Sequence, residues 1–200
     1  MRLAATMAVF AVPTLAHAQR LTIPEEIARG GVARIWRGEP SGQLPTVTEL
    51  LAQADLIVIG TVGIPNNSYL SDDQYDIYTD YPIVDPIILY QSQLSTSPRP
   101  GMPGTVSVTQ LGGTATIGRA SFSQSSSALQ PLDVGTEGLF VMKRVEGKYR
   151  FVSDFLGAFR ITGGRLESLF DRLYFAAEGQ DAPADQALAN VAARLRALGR

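Results

Sequence analysis

The densest run of potential chemistry in this chain is Ser71-Asp72-Asp73-Gln74-Tyr75-Asp76, with Asp80 following on the same stretch. Calcium takes roughly six to eight oxygen ligands, and carboxylates close together on a loop can supply several of them. Asp72, Asp73 and Asp76 are therefore the candidate metal ligands, with calcium as the cation. Their spacing is not that of an EF-hand, and the glycine at that motif's turn is missing. The plainer alternative is a solvated loop ahead of an edge strand, where charge blocks edge-to-edge pairing. The same carboxylates are also the route to catalysis without histidine. A pair of them at separations of roughly 5–9 Å can hydrolyse a glycoside.

Tyrosine gathers in the same place. Tyr69, Tyr75, Tyr78, Tyr81 and Tyr90 lie within one short stretch of a chain that has 7 tyrosines in all. A tyrosine presents a flat amphipathic face with a hydrogen-bonding head, which suits recognition surfaces. Tyr69, Tyr75, Tyr78 and Tyr81 form the candidate binding surface, and beside so many aspartates a basic peptide or a sugar is the expected guest. Cross-strand packing is the competing role, because tyrosine also favours strands.

What the chain lacks narrows the chemistry further. It has no cysteine, and its one histidine, His17, falls in residues 1–18, which read as a secretory signal peptide. Arg2 supplies the positive start, Leu3 to Leu15 the apolar run, and Ala16-His17-Ala18 the small-x-small cleavage site. Cleavage before Gln19 leaves a chain with neither His nor Cys, and so without the usual nucleophiles, bases and metal ligands. A Ser–Lys dyad would have to use Lys143 or Lys148, and no serine is near either in sequence. The expected location is the periplasm or the cell exterior, with no transmembrane anchor once the signal is removed. From Gly38 to Pro98 there is no Lys or Arg, whereas Glu39, Glu49, Asp55, Asp72, Asp73, Asp76, Asp80 and Asp85 all lie there. The rest of the chain is net basic, but no segment clusters enough positive charge to take a nucleic acid.

The elements that must position these groups can be read along the chain. Residues 19–45 form a lead-in broken by Pro and Gly, with a short helix expected near Pro24 to Arg29. Its tryptophan, Trp36, reads as an anchor onto the body. Thr46-Val47-Thr48-Glu49 is a capping box opening a helix to about Ala54. Leu56 to Val62 is a continuous apolar run, as expected of a strand buried on both faces. Tyr75 to Tyr90 favours strand, but Pro82 and Pro86 require an edge, a bulge or two short strands. Thr105 to Leu111 alternates cleanly, Thr114 to Ile117 is extended, and Ser121 to Pro131 reads as a polar loop. Leu139 to Val145 and Tyr149 to Val152 make a hairpin through Glu146-Gly147, followed by a strand over Ala158 to Thr162. Leu166 to Phe175 is ambiguous. A helix with an apolar stripe closes the chain from about Pro183 to Leu198. Neither Gly112-Gly113 nor Gly163-Gly164 has the spacing of a phosphate loop or dinucleotide fingerprint. Such a pattern implies a small antiparallel barrel or sandwich with helical additions.

Ala54-Asp55-Leu56-Ile57-Val58-Ile59-Gly60-Thr61-Val62 resembles the opening strand of a group of small exported bacterial proteins of uncharacterised function. The likeness continues through Tyr78 to Val84, Val106 to Gly113, Gly135-Thr136-Glu137-Gly138-Leu139-Phe140 onward to Val152, and Gly157 to Ile161. It covers roughly residues 46–162. This resemblance implies a five-stranded barrel of the oligonucleotide/oligosaccharide-binding (OB) kind, similar in outline to netrin-like and metalloproteinase-inhibitor domains. Inhibition by the latter depends on an N-terminal cysteine, which is missing here, so that activity is not carried over.

The expected fold is mainly β with flanking helices: a small antiparallel, OB-like barrel of about five to seven strands plus a C-terminal helix. The expected division is a signal peptide (1–18), the lead-in (19–45), the barrel domain (46–175) and a helix packed on the same domain (176–200). The expected function is an exported, non-enzymatic binding or accessory domain of the cell envelope, with no cofactor beyond the calcium considered above. Its partner would be an exported protein, a peptide or a glycan. The alternative is a calcium-stabilised or carboxylate-dependent hydrolase working through the Asp72–Asp80 loop.

Overall fold

A computed structural model describes residues 22–28, 35–37, 46–92, 105–126, 131–152, 157–168 and 184–199. The expected signal peptide lies outside them, as does the side chain of Trp36. The described helices are α1 (Ile23–Ala28), α2 (Val47–Ala52) and α3 (Ala184–Ala197). The first strands are β1 (Ile35–Arg37), β2 (Leu56–Val62), β3 (Tyr69–Leu70), β4 (Ile77–Gln91), β5 (Thr105–Leu111) and β6 (Gly113–Ile117). Then come β7 (Ala120–Ser126), β8 (Glu137–Val145), β9 (Lys148–Phe151), β10 (Ala158–Thr162) and β11 (Arg165–Ser168). The fold is mainly β, with a C-terminal helix, as expected.

Strands β8, β2, β4, β5 and β9 are hydrogen-bonded in that order, and the β8–β9 hairpin joins the two ends into a ring. β2, β4 and β5 form a meander of three strands, and the hairpin closes it. The ring is antiparallel except at one seam, where β5 and β9 run parallel through the pair Val108↔Tyr149. The reason is geometric: strand direction can alternate all the way round a closed ring only if the number of strands is even. Five strands force one parallel neighbour, and the chain places it where the ring closes.

The continuous apolar run of β2 follows from its position between two cores. Leu56, Val58 and Val62 point into the barrel with Ile83, Val108, Phe140 and Phe151. Ile57 points the other way, into a second core with Leu50 and Leu51 of α2, Leu139 and Val141 of β8, and Val191 and Leu195 of α3. Phe140 and Phe151 stack inside the barrel with ring centroids 6.3 Å apart. The capping box holds α2 in place: Thr46 Oγ1 accepts from the Glu49 N–H at 3.2 Å, and Glu49 Oε2 accepts from the Thr46 N–H at 2.8 Å.

β4 runs unbroken through both prolines. Pro82 lies one residue outside Ile83, the last partner of β2, so no ladder donor is needed on that flank. Pro86 sits at a register shift against β2, beside Asp85, whose φ is 50°. Two expectations are corrected. The polar stretch from Ser121 contains β7, because Phe122 and Gln124 alternate inward from serines that face out. It pairs with β6 in a hairpin and runs parallel to β1, so the lead-in contributes a strand. This smaller sheet covers a third core of Ile23, Ile77, Ala115 and Phe122.

A candidate binding face on the outside of the barrel

Alternation along β4 decides which of the predicted site residues can meet a ligand. Thr79, Tyr81 and Ile83 are buried, while Tyr78 and Asp80 lie on the outer side. Tyr81 is therefore withdrawn from the candidate surface: it belongs to the barrel core at 6% exposure. Burial pushes its phenol above the usual value, and a hydrogen bond with the backbone of Leu132 opposes that shift. Tyr78 and Tyr81 are an odd number of residues apart, so a strand places them on opposite faces. Tyr75 lies in the turn before β4, where its N–H donates to Asp73 Oδ1 at 3.1 Å.

Tyr69 and Tyr78 do come together. They are cross-strand partners on β3 and β4, with ring centroids 6.3 Å apart and planes tilted by 35°. Asp80 anchors them to the barrel. Its Oδ1 accepts from Tyr69 Oη at 2.9 Å and from Thr109 Oγ1, its partner on β5, at 2.6 Å. The next strand round, β9, supplies two cations. Lys148 Nζ donates to Tyr69 Oη, sits 3.9 Å from the centre of that ring and lies 3.7 Å from Asp80 Oδ2. The guanidinium carbon of Arg150 lies 4.6 Å from the centre of the Tyr78 ring. Arg150 donates to Tyr78 Oη at 3.4 Å and to Glu146 Oε2 at 3.2 Å.

The cluster thus spans β3, β4, β5 and β9 and crosses the parallel seam. A single backbone pair joins β5 to β9, so side chains carry much of the connection there. Burial raises the Tyr69 phenol above its ordinary value; the Lys148 hydrogen bond pulls it down and Asp80 pushes it up. The phenol stays protonated and donates to Asp80.

Sequence patterning finds Tyr69 and Tyr78 but misses Lys148, Arg150 and Thr109. The available signal was the Lys148-Tyr149-Arg150 alternation at the start of a hairpin strand, which sends both cations to one side. The basic guest expected for the acidic, tyrosine-rich stretch is met from within the chain: Lys148 and Arg150 occupy that place.

The aspartates of the loop are brought into separate uses rather than a cage. Ser71 to Gln74 forms a turn in which the Gln74 N–H donates to Ser71 O at 2.9 Å, with Gln74 at φ 63°. Asp73 braces the turn by accepting from Ser71 Oγ and the Tyr75 N–H. Asp76 is buried, and its Oδ1 accepts from Gln124 Nε2 at 3.0 Å. Asp72 is exposed. Among the described residues, no group of three or more His, Cys, Asp or Glu is placed to hold a metal ion. Turn geometry and burial send the Asp73 and Asp76 carboxylates to different neighbours, the turn itself and Gln124. Among the described residues no helix is long and apolar enough to cross a membrane. In comparisons with known proteins, no family model, curated sequence or solved structure matches this chain.

Proposed function

We propose that this chain is an exported, non-enzymatic binding module of the cell envelope, and that its contact surface is the outer face built by Tyr69, Tyr78, Asp80, Lys148 and Arg150, with the buried Thr109 bracing Asp80 from beneath. The observation that carries the reading is the Tyr69–Tyr78 pair, with hydroxyls and rings held in place by an aspartate and two cations. Amphipathic rings whose rotamers are already locked lose little entropy on meeting a ligand. Export is read from residues 1–18. A non-catalytic role is read from the sequence, where removal of residues 1–18 leaves neither His nor Cys to act as nucleophile or base.

The test is a binding screen of the mature domain against glycans and peptides, repeated with Tyr78→Ala and with Ile64→Ala. Ile64 is 78% exposed, in the loop after β2. Binding should weaken at least about tenfold in Tyr78→Ala and persist in Ile64→Ala. Equal binding by both variants, with circular dichroism showing both folded, would overturn the surface assignment.

A further inference from the structure

We infer that the ligand of this face is an acidic glycan, a sugar chain carrying carboxylates, and not the basic partner that the acidic middle of the sequence suggests. The inference rests on the binding reading above and names the ligand class of the same face.

The first argument is electrostatic. Asp80, the carboxylate that would receive a basic ligand, already accepts from two hydroxyls and lies beside Lys148. The cations on this side are less fully used. The β8–β9 register sets Lys143 directly opposite Arg150 and Val145 opposite Lys148, so Lys143, Lys148 and Arg150 share one outer face. Directly opposed residues stand about 5 Å apart and alternate residues about 6.6 Å apart along the backbone, so the three long side chains arise from one short stretch of the β8–β9 hairpin. Lys143 makes no ion pair among the described residues. The Lys148 side chain is 45% exposed, and the Glu146 that pairs with Arg150 is an exposed residue of the hairpin turn. A carboxylate arriving here gains Lys143 and can share Lys148 and Arg150.

The second argument distinguishes a sugar chain from an acidic peptide. Peptides are held by apolar anchors sunk in pockets, by added backbone ladders or, when acidic, by clusters of arginines, of which the tyrosine cluster has one, Arg150. The clustered groups here instead offer hydrogen-bonding heads beside flat rings: two phenols, an ammonium and a guanidinium. That is the chemistry for hydroxyl-rich rings bearing an occasional negative charge.

Calorimetry on the mature domain tests this with galacturonate and alginate oligomers, methyl-esterified galacturonate oligomers and polyglutamate. The acidic oligomers should bind, with affinity falling as salt rises. Methyl esterification, which removes the charge and keeps the rings, should cost about tenfold, and Lys143→Gln about fivefold with an unchanged melting temperature. Equal affinity for the methyl ester, equal affinity for polyglutamate, or no binding of either acidic oligomer at millimolar concentration would each overturn the inference. In those cases the glycan and peptide screen with Tyr78→Ala still decides the binding reading separately.

Discussion

Replacing Lys148 with methionine removes the charge that straddles the parallel seam and keeps most of the side chain's bulk. Three contacts go with it: a partly exposed ion pair with Asp80 at 3.7 Å, a hydrogen bond to Tyr69 Oη, and a cation–ring contact at 3.9 Å. Exposed ion pairs contribute about 0.2–1 kcal/mol, hydrogen bonds about 1 kcal/mol and exposed cation–ring contacts about 0.5–1 kcal/mol. They share one nitrogen, so the contributions do not add. Asp80 keeps both hydroxyl donors after the change, so no unsatisfied buried charge is created. The expected loss is about 1–2 kcal/mol, or about 3–6 °C in melting temperature for a domain of this size. Urea denaturation measures it, and exchange of the Val108 and Tyr149 amides reports whether the seam loosens first. In a double-mutant cycle with Asp80→Asn, the coupling should be about 0.5–1 kcal/mol. A loss within experimental error of zero, with unchanged amide exchange at the seam, would show that the backbone closes the ring unaided.

Two other outcomes follow from separate parts of the fold. Glu49 has its carboxyl held below the ordinary value of 4.5 by the Thr46 backbone N–H and then by its hydroxyl. Its depressed folded-state value stabilises helix α2 above the unfolded value, and this is lost as pH falls through the folded one; Glu49→Gln, which removes the titrating group, should flatten that acid limb in a series of melts, and an unchanged limb refutes the linkage. Millimolar calcium should leave the melting temperature where it is, because Asp73 and Asp76 serve the turn and Gln124. A clear upward shift would mean that a native site exists, since a ligand binding the folded state raises stability by mass action.

Most of the fold was legible in the sequence because its signals were local. The capping box over Thr46 to Glu49, the run in β2 and the Glu146-Gly147 hairpin each express their geometry within a few residues. β7 was not legible: its serines carry no apolar pattern, and only pairing with β6 and burial of Phe122 and Gln124 make it a strand. The parallel seam was hidden for a different reason, since it follows from counting strands in a closed ring. Half of the site was visible for the same local reasons. Tyr69 and Tyr78 lie in an obvious tyrosine-rich stretch, whereas Lys148 and Arg150 reach it from β9, many residues later along the chain. Tyr81 was misplaced by reading composition over a strand where period two should have decided.

The position of the proposed face also follows from what covers the other sides of the barrel. One outer flank, on β2 and β8, is occupied by the second core, where Leu50, Leu51, Val191 and Leu195 come down from α2 and α3. β10 and β11 extend the sheet beyond β8 and add Phe159 and Leu166 to that core. At the start of β4, Ile77 is covered by α1 and the β6–β7 hairpin, and Gln124 ties that hairpin to Asp76 and to the Ile77 N–H. What is left on the barrel wall among the described residues is the outer side of β3, β4, β5 and β9. There Tyr69, Tyr78, Asp80, Lys148 and Arg150 carry rings and charge, while the far half of β4 leaves Val84, Ile87, Ile88 and Leu89 exposed. Burying those rings and cations under a further helix would cost the desolvation of several polar heads. The part of the wall around Tyr69 and Tyr78 is thereby kept open to water or to a polar ligand.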